Sequence, residues 1–312
     1  MAEIHQLVLL HGVEGARSMV ASRAERKLVD LAAKVLAEES DALGFSYAGF
    51  CMTSLPHKRL ADTGGEWYRE NGRFSLMIEP GKIIRSGGPQ LFGVPYGARA
   101  RMILLYLCTQ AVRKNSRRIE IGRSMNAWLG RMGISSGGES YTAVREQANR
   151  ISACRITIAW RGENGVEGFK RENIIDGMLS VPTANARHHE RLWDDEVELT
   201  ESFFQAMKAH PVPLWEPALR VISNQSLVID IYVWLTYRLR SVERPQTVSW
   251  IALQAQFGPE YTRLRDFRRR FADALRQALA VYPEADVGLD QRGILLRPSP
   301  LAVSRRSATS IP

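Results

Sequence analysis

Between Tyr261 and Leu279 the chain reads YTRLRDFRRRFADALRQAL, with six arginines and two aspartates in nineteen residues. At about 100° per residue, Leu264, Phe267, Phe271, Ala274, Leu275 and Ala278 recur on one side of a helix and make its apolar stripe. The charges divide into two groups. Arg263, Asp266, Arg270 and Asp273 alternate in sign at three- and four-residue spacing, so they can pair with one another on a solvated face. Arg265, Arg268, Arg269 and Arg276 form a second stripe that contains no acid. Such a stripe repels itself unless an anion lies against it. Duplex DNA meets that need, because phosphates supply charge and a guanine edge accepts two parallel hydrogen bonds from one guanidinium. The plainer alternative is a surface helix with surplus arginine.

The elements that must carry this stretch occur twice. In the first pass a helix at Arg101 to Lys114 is followed by an alternating segment, Arg118 to Gly122, and a helix, Ser124 to Met132. A glycine turn, Gly133 to Gly138, leads into a helix at Ser140 to Ala153. A hairpin then pairs Arg155 to Trp160 with Val166 to Ile174 across Gly162 to Gly165. The second pass has a helix at Leu227 to Val242, a strand at Thr247 to Ser249, and helices at Trp250 to Gln256 and Tyr261 to Ala280. Its hairpin pairs Ala285 to Leu289 with Gly293 to Arg297. Helix, strand, helix, turn, helix, hairpin is the order of a winged helix, in which the later helix reads DNA and the hairpin is the wing. Two unrelated helical domains with hairpins are the alternative.

The predicted fold class is therefore α+β: two tandem winged-helix domains preceded by an N-terminal helix and short strands. Residues 1–97 hold that helix, Ala21 to Ala42 with Ser22 as N-cap, and an irregular and strand segment packing on the first domain. Residues 98–190 are the first domain, 191–298 the second, and 299–312 a flexible tail. Gly81 to Gly97 reads as loop or linker, and Val197 to Phe204 as a strand entering a helix capped at Thr200.

The DNA-binding candidates follow from these placements. In the second domain they are Tyr261, Thr262, Arg265, Arg268, Arg269 and Arg276, with Arg292 and Arg297 on the wing. In the first, Ser135 and Ser136 precede Gly137 and Gly138 at a helix N-terminus, where their amides could approach a phosphate. An ordinary glycine turn explains that loop equally well. Tyr141 and Arg145 follow on the helix, with Arg150 beyond, but Glu139 and Glu146 dilute the face.

Bulk properties agree with a polyanionic partner. The 312 residues carry a net charge of +9 and a pI of about 9.7. From Pro95 to Trp160 eleven Arg or Lys face three Glu, whereas Asp194 to Glu201 is acidic. No apolar run approaches a membrane span of about 20 residues. Three scattered cysteines, Cys51, Cys108 and Cys154, and an N-terminus without a secretory signal point to a soluble cytoplasmic protein of a reducing compartment.

Enzymatic chemistry finds little support. GKIIRSGG at Gly81 to Gly88 misplaces the lysine of a nucleotide-binding loop. His188-His189-Glu190 lacks the His-x-His spacing that puts a nicking enzyme's metal pair on one face, while His57 and His210 stand alone. No catalytic residue, metal or cofactor is expected.

Several blocks resemble the plasmid-encoded RepA replication initiators of bacteria: LPHKRL at Leu55, GVPYGARARMILLYLCTQAV at Gly93, IEIGRSMNAWLGRMGI at Ile119, GGESYTAVREQANRISACRITI at Gly137 and DIYVWLTYRL at Asp230. The resemblance implies binding to direct repeats, or iterons, in double-stranded plasmid origin DNA, melting of an adjacent A·T-rich segment and recruitment of host replication proteins. It also implies a homodimer in equilibrium with monomer, repression of the protein's own promoter and plasmid copy control. A winged-helix transcriptional repressor without an initiation role is the alternative. By similarity the reading helix is Tyr261 to Ala280 and the dimerising copy Arg99 to Ile174. Leu28, Leu31 and Val35 are too short a run for a coiled coil.

Overall fold

A computed structural model of the chain describes residues 3–121, 124–162, 167–177 and 196–303. The first elements are α1 (Glu3–Met19), α2 (Arg23–Leu36), β1 (Leu43–Tyr47), α3 (Ala48–Met52), β2 (Trp67–Asn71), β3 (Phe74–Glu79), β4 (Gly81–Arg85) and β5 (Gly88–Phe92). Then come α4 (Gly97–Lys114), β6 (Arg118–Glu120), α5 (Met125–Arg131), α6 (Gly138–Ala153), β7 (Arg155–Arg161), β8 (Glu167–Asn173), β9 (Ile175–Asp176) and β10 (Glu196–Leu199). The remainder is α7 (Glu201–Ala209), β11 (Pro211–Trp215), α8 (Glu216–Val221), α9 (Ser226–Leu239), β12 (Gln246–Ser249), α10 (Trp250–Phe257), α11 (Leu264–Ala280), β13 (Val287–Leu289) and β14 (Gly293–Leu296). The protein is thus mixed helix and sheet, and the order helix, strand, helix, helix, hairpin recurs at α4 to β8 and at α9 to β14.

Two compact units contain these elements: Phe45–Pro211, and Met1–Gly44 together with Val212–Pro312. The sequence pattern placed divisions at 97, 190 and 298 instead. Residues 1–44 join the C-terminal segment because α2 packs on α8 and α11. Residues 196–211 stay in the central unit, since β10 pairs with β6 through Val197 and Ile119.

In the central unit, α4 is buried almost continuously from Ala100 to Val112. The charged residue in that run, Arg101, is only 5% exposed, and its guanidinium donates to the carbonyls of Leu55 at 2.7 Å, Pro56 at 3.1 Å and Gly97 at 2.9 Å. One buried cation thereby joins two of the sequence blocks, and the carbonyls in turn satisfy a charge held away from water. Helix α6 packs on α4, and the hairpin β7–β8 continues a four-stranded antiparallel sheet in the order β2-β3-β7-β8. The three cysteines are free and buried, and burial pushes the thiols of Cys108 and Cys154 up to about 12.

The stretch from Gly81 to Gly97 is no linker over its first twelve residues. β4 and β5 pair from Gly81↔Phe92 to Arg85↔Gly88, and the adjoining glycines make the tight turn, with Gly88 at φ 103°. The hairpin packs on α6, where Arg85 donates to the Asn149 side chain at 2.8 Å.

In the other unit, α1 is a helix that the sequence pattern did not reveal. Gly12, at φ 66°, breaks its helical period. Helix α2 begins at Arg23 with a complete capping box between Ser22 and Glu25, and ends at Leu36 rather than Ala42. The two helices enclose a cluster of Val8, Ala16, Val29 and Ala32. Helix α11 packs on α9 through Phe267, Phe271, Ala274, Leu275 and Ala278, all buried, as its apolar stripe requires. The strand between the first two helices of this pass closes onto the hairpin, giving a sheet in the order β12-β14-β13. At Gly293 a Cβ would stand 1.9 Å from the Val248 carbonyl oxygen, so only glycine admits the pairing with Ser249.

Residues 163–165 of the predicted loop Gly162 to Gly165, Val166, the His188-His189-Glu190 segment, Asp194, Asp195 and the tail beyond residue 303 lie outside the described residues. The turn to which Gly122 and Arg123 belong does so as well.

Candidate nucleic-acid interface

Helix α11 opens at Leu264, three residues later than the sequence predicts. Arg263 is its extended N-cap, and Tyr261 and Thr262 lie in the preceding turn. Gln254 holds that turn by donating to the Tyr261 carbonyl at 2.7 Å, and the Tyr261 ring packs edge-on against Phe267 at 5.9 Å. The Tyr-Thr pairs of the two passes are therefore not equivalent, for Tyr141 and Thr142 lie inside α6.

The four arginines of the acid-free stripe remain on one side of α11. At about 100° per residue they span an arc of about 100°, centred away from the buried residues. Their states differ. Arg265 is 81% exposed at its side chain and reaches Asp266 only at 3.9 Å. Arg269 is exposed and makes no ion pair among the described residues. Arg276 is exposed but paired with Asp273 at 3.0 Å, so the stripe is not wholly free of acid. The i,i+3 geometry of the helix brings these two side chains together, and Asp273 is thereby engaged by Arg276 rather than Arg270.

Arg268 is half-buried and turned toward the hairpin. Its guanidinium donates to the Gln291 carbonyl at 3.0 Å and lies over the Trp250 ring at 5.0 Å. Trp250 in turn donates its indole N–H to the Asp290 carbonyl at 3.1 Å and its backbone N–H to the Arg292 carbonyl at 3.0 Å. The tip of the hairpin is thus fixed to the helix through one arginine and one tryptophan. Arg292 at that tip is exposed. Arg297, at the base of the hairpin, is ion-paired with Asp286 at 2.7 Å and braces the strand instead of standing free.

The first pass presents a weaker cationic face. Ser135 and Ser136 are exposed, and α6 starts at Gly138 with no side-chain cap at Gly137. Tyr141 is tied by its hydroxyl to the Asn126 side chain of α5. Arg145 is half-buried, with its Nε buried and without a hydrogen-bond partner among the described residues. Arg150 turns inward: 5% exposed, it holds Glu146 at 2.9 Å and the Val94 carbonyl at 3.1 Å. Sequence reasoning missed Lys82 and Arg85, because the strand alternation flanking the paired glycines was read as linker. It assigns Lys27 no role.

Among the described residues no group of three or more His, Cys, Asp or Glu gathers as a metal site would require, and no helix is long and apolar enough to cross a membrane. What the surface of α11 and its hairpin can do is hold an extended anion, since exposed guanidinium groups project from a rigid helix beside a basic loop tip.

The chain belongs to the family of plasmid-encoded RepA proteins, whose sequence profile matches residues 94–252, about half its length. That membership supports a role in plasmid replication initiation. The matched residues run from Val94 to Ala252, so α11 and the β13–β14 hairpin lie beyond them. Among solved structures, a selenomethionine crystal structure of domains 2 and 3 of RctB aligns with a TM-score of 0.47 and 16% identity, over 74% of this chain and 84% of that one. A second crystal structure of RctB domains 2–3 aligns with a TM-score of 0.45 and 16% identity, over 79% and 94%. A search of curated proteins gives no match.

Proposed function

We propose that the protein initiates plasmid replication by binding direct repeats in double-stranded origin DNA, with its two passes acting as tandem winged-helix domains. In this reading α11 enters the major groove, the β13–β14 hairpin rests on the backbone, and the α4 to β8 pass contributes backbone contacts and dimerisation. Melting of an adjacent A·T-rich segment, recruitment of host replication proteins and repression of the protein's own promoter follow from the same binding. The protein works in the bacterial cytoplasm as a dimer in equilibrium with monomer, and contributes no catalytic residue or cofactor.

The observation that carries this reading is the set of outward arginines on α11, Arg265, Arg269 and Arg276, beside a hairpin whose exposed tip is locked to the same helix. Arginine can grip two acceptors of a guanine edge at once, and a fixed hairpin presents its charge without further ordering. Footprinting of the purified protein on its own plasmid's origin is the test. Protection of tandem direct repeats is expected. Protection confined to an inverted repeat would make the protein a repressor, and no protection would remove the reading.

A further inference from the structure

A helix lying in the major groove has a phosphate strand on each flank, because the groove is about 12 Å wide and bordered by both backbones. The hairpin serves one flank of α11. On the helical wheel Arg270 lies on the opposite side from Arg268, about equally far from the outward Arg269, and with Asp273, Arg276 and Gln277 it faces α2. There a groove of 960 Å³ runs between α1, α2 and α11, and both Lys27 and Arg270 line it.

Both cations are exposed. Lys27 donates to the Gln225 side chain at 2.7 Å, and among the described residues no carboxylate pairs with Lys27 or Arg270. Desolvation first, and the charge of Arg270 second, hold the Lys27 ammonium below its ordinary value. Of the three carboxylates that line the groove, Glu25 caps α2 through Ser22, Asp273 holds Arg276, and Glu3 stands in the first turn of α1; Asp30, outside it, holds Arg17. Arg23, about one turn earlier on α2, and Arg26, next to Lys27 in sequence, are also exposed, outside the groove lining.

We propose that Lys27 and Arg270 form a second phosphate-binding flank of the DNA surface, opposite the hairpin. Two like charges held in reach of one another, neither paired with a carboxylate, are stabilised when a phosphate lies between them. The inference rests on α11 being the reading helix. It explains what the N-terminal helices contribute to the unit that contains it.

The test uses the full chain, its own origin duplex and a scrambled duplex of equal length, with affinity measured across a salt series. The double variant K27A/R270A removes exposed side chains only, and its thermal transition checks that the fold is kept. Its slope of log affinity against log salt should fall by about 1 to 2, with equal loss on both duplexes. The charge-preserving K27R/R270K should restore the slope. Arg269→Ala, in parallel, should lower the ratio of origin to scrambled affinity. An unchanged slope in K27A/R270A, alongside a lowered ratio in Arg269→Ala, would overturn the flank and leave the reading helix standing. An unchanged ratio in Arg269→Ala would remove the reading helix, and the flank with it. Unchanged DNA binding by K27A/R270A together with loss of plasmid maintenance would assign the groove to an acidic protein partner, which also overturns the proposal.

Discussion

The two passes of the same element order secure their hairpins by different means. In the second, the strand between the first two helices, β12, pairs with β14, and the tip is held by Arg268 and Trp250. In the first, β6 turns away to pair with β10, and the hairpin is secured through β7, which runs in register with β3 from Phe74↔Trp160 to Glu79↔Arg155. The second pass thus ties its hairpin to its own arginine helix, while the first builds its hairpin into a wider sheet. A pass that links helix and hairpin directly can place both on one target. A pass whose helix is flanked by another hairpin and whose Arg150 is buried has fewer free cations to offer.

The largest expected effect tests how the second pass is held. Phe271 is fully buried, with Phe257 and Phe267 at 5.4 Å and Trp250 at 6.0 Å. Phe271→Ala should cost about 3–5 kcal/mol in chemical denaturation. Since α11 and Trp250 share that cluster, amide exchange of β13 and β14 should accelerate while β7 and β8 are unaffected. Equal acceleration in both hairpins would erase the distinction.

Next in size is the division of labour on DNA. Arg265→Ala should weaken specific binding by about 1–3 kcal/mol and relax base preference. Arg145→Ala, in the first pass, should weaken binding to every sequence alike and lower the salt slope by about 1. Base preference lost on Arg145→Ala and retained on Arg265→Ala would exchange the roles of the two passes.

Arg268→Ala should act mainly through the hairpin, by about 1 kcal/mol or less in stability, because one hydrogen bond and one exposed cation–π contact are removed. In a double-mutant cycle with Arg292→Ala its effect on binding should be non-additive. Simple additivity would make Arg268 an independent DNA contact, as its place in the stripe first indicates. The smallest effect concerns thiols: Cys108 and Cys154 should react with a disulfide reagent only as fast as the chain unfolds, because burial raises their pKa to about 12. Rapid reaction of the native protein would place them at a surface.

Much of this was legible in residue order because periodicity reports which side of an element is buried. The stripe of α11, the Ser22 cap, the Thr200 cap and both repeated element orders emerge at or near their predicted positions. What escaped depends on contacts far apart in the chain. Nothing local distinguishes Arg150, which is buried, from Arg145, which is half-buried, for the Val94 carbonyl that holds Arg150 is distant in the chain. Arg268 looks like its neighbours until Gln291 and Trp250 are brought beside it. The glycines of Gly81 to Gly97 were read by composition, whereas strand alternation on either side of Gly87-Gly88 carried the hairpin. Helix α1 was hidden by Gly12, which interrupts the period that would have revealed it.

The C-terminal unit is assembled from the two ends of the described chain, with residues 45–211 intervening. On the ribosome, α1 and α2 are made before residues 45–211, yet α8 and α11, on which α2 packs, are made after them. The intervening unit has time to collapse on its own during synthesis. The paired helices at the front must meanwhile wait, with part of their apolar surface uncovered, until α11 has been made.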